Sequence, residues 1–498
     1  MVNGSRVLAW TSSARRVSGV RRSLRSRLLL ALPFICLLLG GSIAVYDAWL
    51  APTLNFLTLD RVALPATGVK GVVFLFSDAP GWGPREAEVS ARLREAGLAV
   101  VGIDTPTYLR AMSRHPDRCG YMVSDLESVA QSLQRSAGSQ TYAAPIVAGF
   151  GLGGGLALDM VDQTPEATIG GTVVMDPASA VPLKVELCTP SGYLTTSAGE
   201  IYALHGGHEP DPVSVLLSPG ATDDTRDRVG SMSAASADVK VIARDAPTAD
   251  SLSEAVMTMS AAATVSRKAL PIKVLSAVPR RDAMAVILSG DGGWRDIDSS
   301  IARLMQADGV PVVGVDSLRY FWSRRTPAET ARDLSGVIEK YRAAWNVKNV
   351  LLIGYSFGAD VLPATYAALP EATRRHIRLV GLLGFSKLAD WQITVAGWFG
   401  SHGSAAAAAL PIPAALPPGK ILCVLGREEP DSACHDIVAL GAETLVTKGG
   451  HHFGGDYPQI ERALLAAYDA RRAKRDSVAA LTPSPGAPNT AAEQHMTQ

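Results

Sequence analysis

The sequence has no surplus of charge of either sign. Its 498 residues hold 47 lysines and arginines against 47 aspartates and glutamates. Without a net positive field nothing global draws the chain to nucleic acid, and no nucleic-acid partner is expected. Cys/His spacings of the kind that hold zinc are also missing, so no metal and no cofactor are expected. Cysteine is scarce, with five in all. Cys36 lies in an apolar run, and the other four fall two per half: Cys119 with Cys188, then Cys423 with Cys434. An oxidising compartment allows each pair to form a disulfide, and Cys423 and Cys434 are close enough to staple one loop. Buried free thiols are the alternative.

Acidic residues are absent from the N-terminus. Residues 1–27 carry seven arginines and no aspartate or glutamate. The uncharged run LLLALPFICLLLGGSIAV follows, Leu28 to Val45. A basic start ahead of 18 apolar residues predicts export, by a cleaved signal or a short membrane anchor. Arg21-Arg22 also permits a twin-arginine signal. No clean Ala-x-Ala cleavage site follows, which favours a retained anchor over residues 1–50, with the arginines cytoplasmic and the remainder in the periplasm.

What remains suits a globular protein, with 47% apolar and 19% charged residues. At this length two domains are the first expectation. The chain also repeats itself. VVFLFSDAPGW (Val72–Trp82) parallels AVILSGDGGW (Ala285–Trp294), and GIDTPTYL (Gly102–Leu109) parallels GVDSLRYF (Gly314–Phe321) at the same offset. SDLESV (Ser124–Val129) resembles RDLSGV (Arg332–Val337), and AGFGLGGG (Ala148–Gly155) sits where IGYSFGAD (Ile353–Asp360) sits. Preserved order through four matches predicts two copies of one domain. In the second copy continuous apolar runs such as AVILSG, VPVVGVD and KILCVLG alternate with helical stretches. That pattern predicts an α/β fold with mostly parallel, doubly wound sheets. The copies are placed at about 52–268 and 271–474, joined near Met257–Pro271, with a small, polar, Pro-rich tail over 476–498 expected to be disordered.

The frame Gly354-Tyr355-Ser356-Phe357-Gly358 follows an apolar run and precedes a helical pattern. A strand–turn–helix of this kind exposes a nucleophilic serine on a strained elbow. The alternative is a turn serine in a glycine-rich chain. A nucleophile needs a base, and on such a sheet the order is serine, acid, histidine. Lys448–Tyr457, KGGHHFGGDY, offers His451, with His452 as runner-up. The acid belongs after KILCVLG, where Glu428, Glu429 and Asp431 stand; spacing favours Glu429 and residue type favours Asp431, and both stay candidates. Oxyanion donors are expected from the Phe357 N–H and from the loop holding Gly290, Asp291 and Gly292. The first copy has Gly151 at the serine position and RDAPT, Arg244–Thr248, where the second has its histidines. It is expected to be catalytically dead. His205 and His208, in LHGGH, are its most site-like residues, with a plain loop as the other reading.

SGDGGW, GVDSLRYFW, GYSFGADVLP, CVLGREEPDSAC and GGHHFGGDY together resemble the VirJ/AcvB proteins of bacteria, over about 275–470. The two-copy layout with an export signal is similar to the longer AcvB form. The resemblance implies tandem α/β-hydrolase-like domains, the first degenerate, with Ser356 as nucleophile and a histidine of GGHHF as base. It also implies hydrolysis of aminoacylated phosphatidylglycerol, such as lysyl-phosphatidylglycerol, at the inner membrane, and links to type IV secretion and virulence. Asp291, Asp316 and Asp360 are then candidates to receive the substrate's ammonium groups.

Overall fold

The computed structural model describes residues 56–114, 119–189, 192–202, 209–263, 270–394 and 407–481, with side chains to 474. The apolar N-terminal run, His205 and His208 and the end of the tail lie outside these residues.

Two sheets of seven strands form the frame. The first runs, in spatial order, Val62–Ala63, Leu98–Ile103, Gly71–Phe76, Ile146–Phe150, Gly171–Met175, Val213–Leu217 and Val239–Ala243. The second runs Ile272–Leu275, Val312–Val315, Ala283–Leu288, Asn349–Tyr355, Ile377–Leu383, Ile421–Gly426 and Glu443–Thr447. Both have the chain order 1-3-2-4-5-6-7, and in both only the first strand is antiparallel to its neighbour. The inner strands are buried from end to end, as GVVFLF and AMAVIL show. Helices cover both faces, so both faces need apolar side chains. The duplication is therefore structural, and each half is an α/β-hydrolase-like sheet. The edge strand IKVL was not foreseen. It is four residues long and only partly buried, so it carries neither a continuous apolar run nor a clean alternation.

Matching residues do matching work. Thr105 Oγ1 donates to the Ser77 carbonyl at 2.6 Å, and Ser317 Oγ donates to the Ser289 carbonyl at 2.6 Å. Asp104 and Asp316 each cap a following helix by accepting a backbone N–H.

Residues from Pro52 onward form one compact unit. The halves meet through aromatic and polar contacts. Tyr142 of the first half stacks on Trp322 of the second with ring centroids 5.0 Å apart and joins that half's core. Arg135 lies 3.5 Å over the Trp322 ring and donates to the Trp322 carbonyl. Trp322 Nε1 donates back to the Ser139 carbonyl at 2.8 Å. Glu166 accepts from Arg303 at 2.9 Å.

The tail begins later than expected. The last helix spans Tyr457–Leu481, because DSVAAL continues a favourable helical run.

Candidate active site

Ser356 sits between the strand Asn349–Tyr355 and the helix Phe357–Ala368. Its φ is 51° and its ψ −121°, a backbone state that costs a non-glycine residue on the order of 1–3 kcal/mol. The flanking glycines allow the turn. A Cβ on Gly358 would lie 2.3 Å from the Leu288 carbonyl oxygen, and one on Gly354 would lie 2.5 Å from the Gly358 backbone. The Ser356 N–H donates to the Leu383 carbonyl at 2.8 Å, tying the elbow to the next strand.

His451 arrives from the loop after the seventh strand. Its Nε2 lies 2.9 Å from Ser356 Oγ, and its Nδ1 lies 2.6 Å from Glu429 Oε1. Room for the ring comes from Gly384 at φ 63°, where a Cβ would meet His451 Cε1 at 2.7 Å. Tyr355 lies against the other side, ring centroids 5.3 Å apart. Glu429 is fixed by accepting the Gly426 N–H at 2.7 Å. Partial burial pushes its carboxyl up, but the hydrogen bonds from His451 and Gly426 outweigh this and hold it below its ordinary value. Asp431 does not take this place and is exposed. His452 is exposed and sits before the short turn Phe453–Gly455. Neither Gly384 nor Tyr355 stood out in the sequence; the positive φ that Gly384 needs is visible only in the fold.

The oxyanion donors are readable by internal comparison. Phe357 opens its helix, so its N–H has no intrahelical acceptor. In the first half the matching Leu152 N–H donates to Asp78 Oδ1 at 3.0 Å, and the Ala79 N–H donates to the same oxygen at 2.7 Å. A carboxylate thus fills the first half's hole. Ala79 is in register with Asp291, so Phe357 and Asp291 carry the matching N–H groups. Gly290 stays a candidate beside them, with its N–H near the buried Asp298 carboxylate.

The three acids proposed for cation binding separate. Asp291 and Asp360 are half-buried near the elbow. Burial pushes the Asp360 carboxyl well up, against the hydrogen bonds of Ser386, and Asp291 and Asp390 add repulsion. Burial likewise raises Asp291, against the pull of its own and Gly292's N–H and of Arg295 and His451. Asp316 is committed elsewhere, which corrects its expected role. Its carboxylate caps the helix Ser317–Tyr320 and pairs with Arg319 at 3.5 Å, as Asp104 caps its helix in the half without a triad.

That other half is blocked at three points. Gly151 replaces the serine, and a Cβ there would meet Asp78 Oδ1 at 2.0 Å. Asp176, at φ 42°, stands where Gly384 leaves room for the imidazole. No histidine follows the last strand. Disulfides tie each half: Cys119 to Cys188, and Cys423 to Cys434 across the acid loop. Among the described residues no group of three or more metal-ligating side chains is assembled.

No curated protein matches the chain. Solved structures similar to parts of it include a ferulic-acid complex of Est1E from Butyrivibrio proteoclasticus, 12% identical over 41% of this chain and 96% of that one, at a TM-score of 0.30. YbtT, a type II thioesterase from the yersiniabactin NRPS/PKS biosynthetic pathway, is 17% identical over 40% and 99%, at 0.27. A monoacylglycerol lipase from Paleococcus ferrophilus is 15% identical over 40% and 99%, at 0.25. Strand order and the elbow, rather than these likenesses, define the fold. Residues 282–472 match the family described as "Bacterial virulence protein (VirJ)". That segment, which holds Ser356, Glu429 and His451, is similar to the VirJ family and carries an α/β-hydrolase-like sheet.

Proposed function

We propose that the second half is a serine esterase that removes the aminoacyl group from aminoacylated phosphatidylglycerol, of the lysyl-phosphatidylglycerol type. The observation that carries the reading is the unbroken chain from Ser356 Oγ through His451 to Glu429, at 2.9 and 2.6 Å. Ser356 Oγ attacks the ester carbonyl carbon while His451 Nε2 takes the hydroxyl proton. Glu429 holds the imidazole in orientation and stabilises its positive charge. The carbonyl oxygen becomes an anion, received by the N–H groups of Phe357 and Asp291. When the C–O bond to the glycerol breaks, His451 returns the proton to the leaving oxygen. Water, deprotonated by His451, then cleaves the acyl-serine.

Asp291 and Asp360 supply a reason for a cationic acyl group. Two half-buried carboxyls near Ser356 are pushed up by burial, and a substrate ammonium favours their charged forms. The two disulfides support an oxidising compartment, and the basic, apolar N-terminus supports anchoring in the inner membrane facing the periplasm. A second reading keeps the fold as a periplasmic scaffold for type IV secretion. The first half favours it, since that sheet persists with no triad. Hydrolysis of other acyl esters or lipids is a third.

The test uses vesicles containing lysyl-phosphatidylglycerol and the full-length protein. Wild type should release lysine, and Ser356→Ala should release none above the uncatalysed rate. Equal release by the two proteins sinks the role of Ser356. Release from neutral acyl esters alone sinks the substrate assignment, and full support of secretion by Ser356→Ala favours the scaffold.

A further inference from the structure

The first half has lost its own chemistry, yet it reaches into the second half's oxyanion loop. Glu127 lies within the first half's helix Val123–Ser136 and is buried. A carboxylate buried in mid-helix is costly unless charge and hydrogen bonds meet it. Gln131, one turn on, donates to its Oε1 at 3.2 Å. The cation that faces it comes from the other half: Arg295 NH1 donates to Glu127 Oε2.

Arg295 follows the loop Gly290–Trp294 and stands just before the helix Asp296–Ala307, making no side-chain capping bond to it. Its guanidinium lies against Gly292 so closely that a Cβ there would meet NH2 at 2.6 Å and Nε at 2.8 Å. Asp296 follows at φ 43°, a left-handed state for a side chain, which persists only where surroundings hold it. At the loop's start, the Ser289 N–H donates to the Val315 carbonyl at 3.0 Å. The loop bearing the Asp291 N–H is therefore gripped at both ends, once from its own half and once from the degenerate one.

We propose that Glu127 is a positioning residue for the active half, acting through Arg295 to hold the oxyanion loop at the distance the transition state requires. This rests on the esterase reading above. The degenerate half is then retained because the active half's hole is complete only with it. Misplacing one donor by about 1 Å costs up to roughly 100-fold in rate. The dyad of Ser356 and His451 is untouched by Glu127, so the loss falls on kcat.

The experiment compares full-length wild type, Glu127→Gln, Glu127→Ala and Glu166→Gln on a soluble aryl ester. Glu166→Gln weakens another contact between the halves, the pair with Arg303, and leaves the loop alone. Thermal melts establish that each protein is folded at the assay temperature. Glu127→Ala should lower kcat about 10- to 100-fold, with KM within about twofold and the pH profile of kcat unmoved. Glu127→Gln, which keeps a hydrogen-bond acceptor for Arg295, should recover most of that loss. Glu166→Gln should keep wild-type kcat. Hydrogen exchange of the peptide 290–295 supplies a readout without catalysis: Glu127→Ala should speed it and Glu166→Gln should not. Wild-type kcat and unchanged exchange in folded Glu127→Ala overturn the proposal, as does an equal kcat loss in Glu166→Gln. If wild type hydrolyses no ester while exchange responds as stated, the esterase reading fails and the positioning of the loop stands.

Discussion

Glu429 Oε1 meets His451 Nδ1 at 2.6 Å, and the carboxylate two residues further on plays no part in the pair. Glu429 is also pinned by the Gly426 N–H, so the acid is oriented before the histidine arrives. Glu429→Gln should leave KM close to wild type and lower kcat by roughly 10⁴, because the amide no longer enforces the required tautomer. Asp431→Asn should change kcat less than about twofold, as expected of an exposed surface substitution. Steady-state ester hydrolysis by the two variants checks both outcomes.

Restoring the serine in the first half should harm the protein. Gly151→Ser forces a Cβ to within 2.0 Å of Asp78 Oδ1, and a fold loss of about 1–3 kcal/mol is expected from overpacking. Asp78→Gly combined with Gly151→Ser should recover most of this and still hydrolyse nothing with Ser356→Ala present, since no histidine follows the last strand. Denaturant melts and the ester assay separate the two statements.

The two disulfides should differ in what they protect. Cys119 and Cys188 close a loop of 69 residues and Cys423 and Cys434 one of 11, so loop entropy predicts losses of roughly 4 and 3 kcal/mol on removal. The shorter bridge, however, spans Glu429. Cys423→Ser with Cys434→Ser should cost less stability and more kcat than Cys119→Ser with Cys188→Ser. The reverse ranking in kcat removes the link between the shorter bridge and the acid loop.

A buried acid in the first half makes stability depend on pH. Burial pushes the Asp211 carboxyl up to about 7, against a hydrogen bond from Thr172 and with repulsion from Glu209. Between the ordinary carboxylate range and about 7 the folded state binds more protons than the unfolded one, so stability falls as pH rises through that window. Asp211→Asn should flatten this fall and exceed wild type by roughly 1–3 kcal/mol at pH 8. Melting temperatures across pH 4–8 provide the check, and parallel curves contradict it.

Fold class and the elbow at Ser356 were legible because they rest on patterns local to short segments. Buried parallel strands leave unbroken apolar runs, and the elbow leaves glycines two residues either side of Ser356. The repeat added an internal comparison that no single motif offers. The choice between Glu429 and Asp431 was not legible, because it depends on how the Gly426 turn aims two neighbouring side chains. Asp316 looked like a site residue by its position after a strand, yet it caps a helix, as its counterpart Asp104 does in the first half. Gly384 carries no motif. Its importance lies in the space it leaves for His451, which is a fact of packing across distant segments.

The approach of Asp78 to Gly151 couples the two positions. A serine at 151 is disfavoured while the aspartate stays, and removing the aspartate alone leaves an elbow with no serine. Each single change towards the second half's elbow is neutral or harmful, so the two positions change only as a pair.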